Sequence, residues 1–115
     1  MELTRTRQLI HGGVDVSQPV DGLIHILESA VELVALPDND FSWSSWTNEA
    51  EAKAELHAII STLKSGGLPD RISVSVLFAP TGPLQEVSVS SGWGDPFLKV
   101  AERYDEIERY VWSAG

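Results

Sequence analysis

The hydrophobic pattern of this chain changes its period partway along, and this change constrains the fold most strongly. Before residue 65, apolar residues recur at the three- to four-residue spacing of amphipathic helices. The segments RISVSVLF and LQEVSVS then alternate apolar and polar residues, as half-buried strands do. The helical spacing returns after residue 95. The sequence therefore predicts an α+β fold.

Two helices are predicted in the N-terminal part. The first covers Val20–Leu36, with Asp21 or Ser17 as its N-cap, and the second begins at a capping box formed by Asn48 and Glu51. The residues expected to face the core are Leu23, Leu27, Ala30, Val31 and Val34 in the first helix, and Ala52, Leu56, Ile59, Ile60 and Leu63 in the second.

The alternating segments predict an antiparallel β-hairpin with strands Arg71–Phe78 and Gln85–Ser91, in which Gly82 takes a positive φ. A C-terminal helix follows, with Asp95 as N-cap, and packs on one face of the sheet. Residues expected inside are Ile72, Val74, Val76, Phe78, Val87 and Val89 on the strands, and Phe97, Ala101, Tyr104, Ile107 and Val111 on the helix. Residues 1–115 are expected to form one domain.

Charge is unevenly distributed along the chain, whose net charge is −9. From Gln8 to Leu63 there are nine acidic residues and one lysine. A negative field repels phosphate backbones, so nucleic acid is not an expected partner. Such a field favours a basic protein partner, although acidity serving solubility alone explains the same composition.

Several function classes find no support in the sequence. Cysteine is absent, so disulfides and thiolate chemistry are excluded. No apolar run reaches the length of a membrane span, and the first residues do not read as a signal peptide, so we expect a cytoplasmic protein with no membrane partner.

Metal, cofactor and catalytic signatures are also missing. The histidines His11, His25 and His57 lack metal-binding spacing, and the pair Asp38 and Asp40 lacks the rest of an EF-hand loop. The sequence has no G-x-S-x-G elbow and no phosphate-binding loop. We therefore predict no metal, no cofactor and no catalytic residues.

Three tryptophans, Trp43, Trp46 and Trp93, fall in predicted connections instead of on core-facing stripes. They either plug the edge of the core or form a binding patch with neighbouring polar groups. We expect the three indoles to lie together near the turn Pro80–Pro83, because together they hide more apolar area than apart. The candidate ligand- or partner-binding residues are Asp40, Trp43, Trp46, Thr81, Gln85, Trp93 and Asp95.

The stretch DNDFSWSSW, followed by LFAPTGPLQEVSVSSGWG, resembles a small bacterial domain family of unknown function. The resemblance covers roughly Asp38 to Asp105. It implies that these loop residues form one unit, and it implies no activity.

Two functions are compatible with these observations. The first is a non-enzymatic protein-interaction module, with an immunity- or antitoxin-type role as one concrete version. The alternative is a small-molecule-binding protein or small enzyme with a pocket between the Trp43–Trp46 and Gly92–Asp95 loops.

Assembly is the last expectation. The strand RISVSVLF carries no proline or lysine that would protect a sheet edge, so we expect a homodimer across a two-fold axis that either continues the sheet or buries Leu77 and its polar-face neighbours. The alternative is a monomer in which the segment Leu3–Val16 closes that edge as a third strand.

Overall fold

The computed structural model of the protein describes residues 3–112, and in this range it contains six α-helices and no β-strand. The helices are α1 (Thr4–Gly12), α2 (Pro19–Val34), α3 (Glu49–Lys64), α4 (Arg71–Phe78), α5 (Pro83–Ser91) and α6 (Gly94–Val111). The prediction of an α+β fold with a β-hairpin is therefore wrong. Across the same residues, no helix has the combination of length and apolarity that crossing a membrane requires.

The first predicted strand is helix α4, and burial shows why. Its buried side chains, Val74, Leu77 and Phe78, have the spacing of one helical face. Ile72 and Val76, which a strand would have buried, are 77% and 49% exposed. An eight-residue segment this rich in apolar residues fits both the 3.6-residue period of a helix and the two-residue period of a strand. Periodicity alone therefore could not decide between a helix and a strand.

Capping groups favour the helices at both segments. The carboxylate of Asp70 accepts hydrogen bonds from the backbone N–H and the hydroxyl of Ser73, at 3.1 and 3.0 Å, and so caps α4. Pro83 occupies the first turn of α5, where its missing N–H leaves no hydrogen bond unmade. Gly92 ends α5 in the left-handed conformation, with φ 86°.

The turn between α4 and α5 is tight, but it is not a hairpin turn. Gly82 has φ −84°, so the predicted positive φ is wrong. Glycine is needed there because a Cβ would overlap the backbone carbonyl oxygen of Val76. In α5, Val87 is buried as predicted, whereas Val89 is 66% exposed.

The helices predicted from the 3.6-residue spacing are confirmed as α2, α3 and α6. Asn48 caps α3 by accepting the backbone N–H of Glu51 at 2.9 Å, as predicted. The cap of α2 was predicted wrongly, because Gln18 stands at its N-cap without a side-chain hydrogen bond. Predicted core residues found buried are Leu23, Leu27, Ala30, Val34, Ala52, Leu56, Ile60, Leu63, Phe97, Tyr104, Ile107 and Val111; Val31, Ile59 and Ala101 are partly buried.

Helix α2 is the centre of the fold and packs against α1, α3 and α6. At its crossing with α6, Gly22 lies close to Ile107, and a Cβ on Gly22 would be 2.7 Å from the Ile107 Cδ1 atom. The buried apolar side chains of all six helices form one continuous cluster.

A glutamate of α2 caps the N-terminus of α1, which has no side-chain cap of its own. The Glu32 carboxylate accepts the backbone N–H of Arg5 on one oxygen and that of Thr6 on the other, both at 2.8 Å. The buried Thr6 hydroxyl donates to Glu32 at 2.9 Å and therefore accepts from the buried Ser29 hydroxyl at 2.8 Å, since it has a single proton.

An arginine of α6 holds the other end of α1. The Arg103 guanidinium donates to the backbone carbonyls of Leu9 and Ile10, at 3.1 and 2.9 Å, and pairs with Glu106 at 2.8 Å. A cation at this end also complements the helix dipole. The segment Leu3–Val16 is therefore fixed to the core mainly as a helix, and the predicted third strand is wrong.

Candidate functional site

The connection between α2 and α3, residues 35–48, is named here the Trp43 loop, and Asn39 is its main anchor. The Asn39 amide nitrogen donates to the carbonyl oxygens of Leu33 and Val34 at the end of α2, at 2.9 and 3.0 Å. Its amide oxygen accepts the indole N–H of Trp93 at 2.8 Å. One side chain thus joins the end of α2 to the start of α6. The sequence carries no signal for this role of Asn39, because its bonding partners are set by how α2 and α6 pack.

Asp40, a predicted site residue, also holds the Trp43 loop. Its backbone N–H donates to the Ser91 hydroxyl at 2.8 Å, and its carboxylate accepts the backbone N–H of Ser42 at 2.9 Å, which makes an Asx turn. Hydrogen bonds from the side chain and backbone of Ser42 lower the pKa of Asp40. Asp38 adopts a positive φ of 65°, a left-handed conformation that aspartate tolerates better than most residues do.

The three loop tryptophans have different environments. Trp46 and Trp93 are buried, and the indole N–H of Trp46 donates to Glu55 at 2.6 Å. Trp43 is 76% exposed. The expectation that the three indoles cover one another is therefore wrong for Trp43, whereas Trp46 and Trp93 fill the edge of the core.

The backbone on both sides of Trp43 is fixed by hydrogen bonds. The N–H of Ser44 donates to the carbonyl of Phe41 at 3.1 Å, and the hydroxyl of Ser44 donates to the carbonyl of Pro83 at 3.3 Å. The second bond confirms that the Trp43 loop lies beside the α4–α5 turn. Together with the Asx turn at Ser42, these bonds present an exposed indole on an ordered loop.

Within residues 3–112, the remaining predicted site residues make no hydrogen bond with the tryptophans. Thr81 is exposed in the α4–α5 turn. Asp95 is exposed in the first turn of α6, and its predicted role as N-cap is wrong because Trp93 occupies that position. Gln85 lines a cavity together with Ala79 and Pro80 of the turn.

This cavity, named here the α4–α6 cleft, has a volume of about 360 Å³. Its lining combines aromatic rings with acidic side chains and contains no tryptophan, so the pocket predicted between the tryptophan loops is not where the cavity lies. The lining residues are Ser75, Phe78, Ala79, Pro80, Gln85, Phe97, Leu98, Ala101, Glu102, Tyr104, Asp105 and Glu108.

A hydrogen-bond network joins α4 to α6 at one wall of the cleft. The Ser75 hydroxyl lies 2.6 Å from Glu108 Oε2 and 2.9 Å from the Tyr104 hydroxyl, which is itself 3.2 Å from the same oxygen. The Arg71 guanidinium donates to Glu108 Oε2 at 3.3 Å. The ring of Tyr104 stacks on Phe78, with centroids 4.6 Å apart. The sequence did not indicate this network, because the segment Arg71–Phe78 that contains Ser75 was predicted as a strand.

All of these donors use the same oxygen of Glu108. Ser75 donates over the shorter distance, so Tyr104 shares its single proton between Ser75 and Glu108. Within residues 3–112, the second carboxylate oxygen of Glu108, Oε1, receives no hydrogen bond. The network therefore fixes Glu108 while leaving one acceptor unused.

The cleft shifts the pKa values of its titratable groups in different directions. Burial opposes ionisation of Glu108, but hydrogen bonds from Ser75, Arg71 and Tyr104 outweigh it and hold its pKa below the ordinary value. Burial is the main cause of the raised pKa of Tyr104. The pKa of Asp105 is also raised, first by burial and then by the charges of Glu108 and Glu102.

The histidines give no metal site. His25 Nε2 lies 3.0 Å from the carbonyl oxygen of Arg5, and His11 and His57 are exposed. Across residues 3–112, no three acidic or histidine side chains are arranged to hold a metal ion.

Comparison with known proteins gives no relative. No protein-family model, no curated protein and no solved structure matches the chain. The resemblance to a small bacterial domain family therefore stays a prediction.

Proposed function

We propose that the protein is a non-enzymatic interaction module that binds a basic protein partner, with Trp43 as the anchor residue. The observation that carries this proposal is an indole that is 76% exposed on a loop fixed by hydrogen bonds. Tryptophan is strongly enriched among residues that dominate binding energy, because it buries a large apolar area with few rotatable bonds.

The order of the Trp43 loop supports this role. Asn39, Asp40 and Ser44 tie it to three other segments, the end of α2, the end of α5 and the α4–α5 turn. A loop already held in one conformation loses less entropy when it binds. These bonds leave the indole exposed and its backbone fixed, which is the arrangement that favours docking.

Charge near the loop supports a basic partner. Acidic residues lie in the Trp43 loop and in α3, and the one base between residues 8 and 63, Lys53, is paired with Glu49 at 3.6 Å. Such a field steers a basic surface toward the loop. Neutralisation of a toxin is one concrete version of this function, and the same field disfavours nucleic acid.

Two further expectations remain predictions. A cytoplasmic location is consistent with the proposed module. A homodimer is also still predicted, although both of its predicted mechanisms are lost, because residues 3–112 contain no strand edge to extend and Leu77 is already buried. Light scattering at micromolar concentration measures the mass directly, and a mass near 12.6 kDa contradicts the dimer.

The proposal is tested by comparing Trp43→Ala with Ile72→Ala, a control that removes an equally exposed apolar side chain on α4. Both variants are expected to keep their stability within about 0.5 kcal/mol, because the side chains are exposed. The immobilised wild type and both variants are incubated with cell extract at low and high salt, and the bound proteins are quantified by mass spectrometry.

We expect a basic protein retained by the wild type and by Ile72→Ala, lost with Trp43→Ala, and released by salt. Binding of that purified protein should also protect Trp43 from acrylamide quenching. Retention of the same protein by Trp43→Ala, or the absence of any salt-sensitive basic protein, contradicts the proposal.

A further inference from the structure

We propose that the α4–α6 cleft is a second binding site, separate from the Trp43 loop, and that it takes a guanidinium group carried on an apolar chain. The inference is independent of the partner proposed above. It rests on the size of the cleft, its apolar lining and the unused acceptors at its rim.

The size and wall of the cleft suit a small organic group. Its volume of about 360 Å³ falls in the range of small-molecule pockets. Leu98, which is 54% exposed, and the partly buried Ala101 contribute apolar surface, and the rings of Phe78, Phe97 and Tyr104 lie behind it, at most 6% exposed. An apolar chain or a planar group can therefore be covered on entering it.

The side chains that line the cleft carry a net negative charge, which favours a cationic ligand. Three lining carboxylates, Glu102, Asp105 and Glu108, are offset by one base, Arg71, at its edge. Among the described residues, neither Glu102 nor Asp105 has a hydrogen-bond or ion-pair partner, and Glu108 has an unused oxygen. Partial desolvation and the charges of Glu108 and Glu102 disfavour the charge on Asp105 even though this residue is exposed, so a bound cation relieves an existing cost.

A guanidinium fits these features better than an ammonium does. It is planar and weakly hydrated, so it can lie against the exposed Leu98 side chain and Ala101 with a small desolvation cost. Its several N–H donors in one plane can serve more than one carboxylate at the same time, whereas an ammonium is a compact, strongly hydrated charge. We therefore expect arginine-type ligands to bind more tightly than lysine-type ligands.

The guanidinium can come from a free metabolite or from an arginine residue of a protein, and probes separate the two. Agmatine represents the free ligand, and the capped tripeptide acetyl-Gly-Arg-Gly-amide represents an arginine residue. The corresponding lysine and citrulline tripeptides test the charge and the shape of the group. Citrulline keeps the planar shape of arginine and lacks its charge.

Each probe is titrated calorimetrically into the wild-type protein and three variants. Glu102→Gln combined with Asp105→Asn removes two rim charges, and Ala101→Phe fills the cleft without changing its charge. Glu106→Gln is the matched control, because it removes a carboxylate of α6 that does not line the cleft. Amide chemical-shift changes in wild type locate the bound probe.

We expect the arginine tripeptide or agmatine to bind at least tenfold more tightly than the citrulline tripeptide and more tightly than the lysine tripeptide. The rim double variant and Ala101→Phe should each weaken binding at least tenfold, and Glu106→Gln should not. The tighter of agmatine and the arginine tripeptide identifies the source of the group.

Three results overturn the inference: no binding of either arginine-type probe at millimolar concentration, binding of the lysine or citrulline tripeptide as tight as that of the tighter arginine-type probe, or binding that both cleft variants retain. None of these results depends on Trp43. Trp43→Ala should bind the probes like wild type, so failure of this inference and failure of the proposed function are distinguishable.

Discussion

Glu32 on α2 and Glu108 on α6 stand in similar surroundings, since each glutamate lies beside hydroxyl side chains and joins its own helix to another. Glu32 uses both of its oxygens, which accept the two backbone N–H groups of Arg5 and Thr6. Glu108 uses one oxygen, and its donors are all side chains. The first carboxylate replaces a missing helix cap, while the second is held in place at the wall of a cavity.

The difference shows how a structural carboxylate can be separated from one available to a ligand. Backbone N–H groups at a helix end need an acceptor in the folded state, so a carboxylate bound to them is part of the fold. A carboxylate held by side chains through one oxygen keeps the other oxygen for a further donor. The two sites should therefore respond differently to the same Glu→Gln substitution.

The largest effect is expected for Glu32→Gln, which we predict lowers the free energy of unfolding by about 2–3 kcal/mol. An amide has one acceptor oxygen, so it cannot accept both N–H groups of α1, and its NH₂ faces one of these donors. Urea unfolding followed by circular dichroism measures the change. The control is Glu28→Gln on the same helix, whose ion pairs with Arg5 and Lys64 are 3.5 and 3.9 Å long, and it should cost less than about 1 kcal/mol. Equal losses in the two variants contradict the assignment of Glu32 as the cap of α1.

A smaller loss is expected for Gly82→Ala, which tests whether the α4–α5 turn is the rigid support of the cleft wall. The added Cβ overlaps the carbonyl oxygen of Val76, a backbone atom that cannot move alone, so we expect a loss of about 1–3 kcal/mol. Gly94→Ala is the control, because a Cβ there meets no atom within 4 Å, and it should be neutral or slightly stabilising. Denaturant midpoints of the two variants provide the comparison, and an unchanged midpoint for Gly82→Ala shows that the turn is loose.

The smallest effect is expected for Asp105→Asn, and it has the opposite sign. Burial and the neighbouring charges of Glu108 and Glu102 raise the pKa of Asp105. A raised pKa means that the contribution of this group to stability is present below its ordinary pKa of 3.8 and is lost as the pH rises through the folded-state value. Removing the charge should therefore raise the melting temperature at neutral pH, and the gain should disappear near about pH 3.

The control for this substitution is Asp95→Asn in the first turn of α6, where a carboxylate complements the helix dipole. It should lower the melting temperature slightly at neutral pH. A loss of stability with Asp105→Asn at neutral pH shows that the Asp105 carboxylate has a stabilising partner in the folded protein, and it contradicts the view that this carboxylate is free to bind a cationic ligand.

The long helices could be predicted from the sequence, because α2, α3 and α6 each repeat a 3.6-residue apolar stripe over several turns. In α4 and α5 the same rule failed, since eight or nine residues match both periods and β-branched valines and isoleucine favoured a strand. Asp70 before α4 and Pro83 at the start of α5 are residues typical of helix N-termini, and in the structure both lie at the N-terminus of their helix.

The candidate site was less predictable, because its bonds join residues far apart in the chain. Trp93 and Asn39 are 54 positions apart, and Ser75 and Glu108 are 33 apart. No local pattern fixes such pairs, since they depend on how the helices pack. The tryptophans could be selected as candidate site residues because tryptophan is rare in the sequence. Glu108, in contrast, has the same sequence pattern as any other surface carboxylate of an amphipathic helix.

Calorimetric titration of acetyl-Gly-Arg-Gly-amide into wild type and Glu108→Gln tests most directly whether Glu108 keeps one oxygen for a ligand. The stability of both proteins is measured in the same buffer. The amide oxygen of the glutamine can still accept from Ser75, so we expect the free energy of unfolding to fall by less than about 1 kcal/mol. Its NH₂ group takes the place of the unused oxygen, so binding should weaken at least tenfold. Unchanged binding, or a stability loss as large as that of Glu32→Gln, contradicts the claim that Glu108 keeps one oxygen for a ligand.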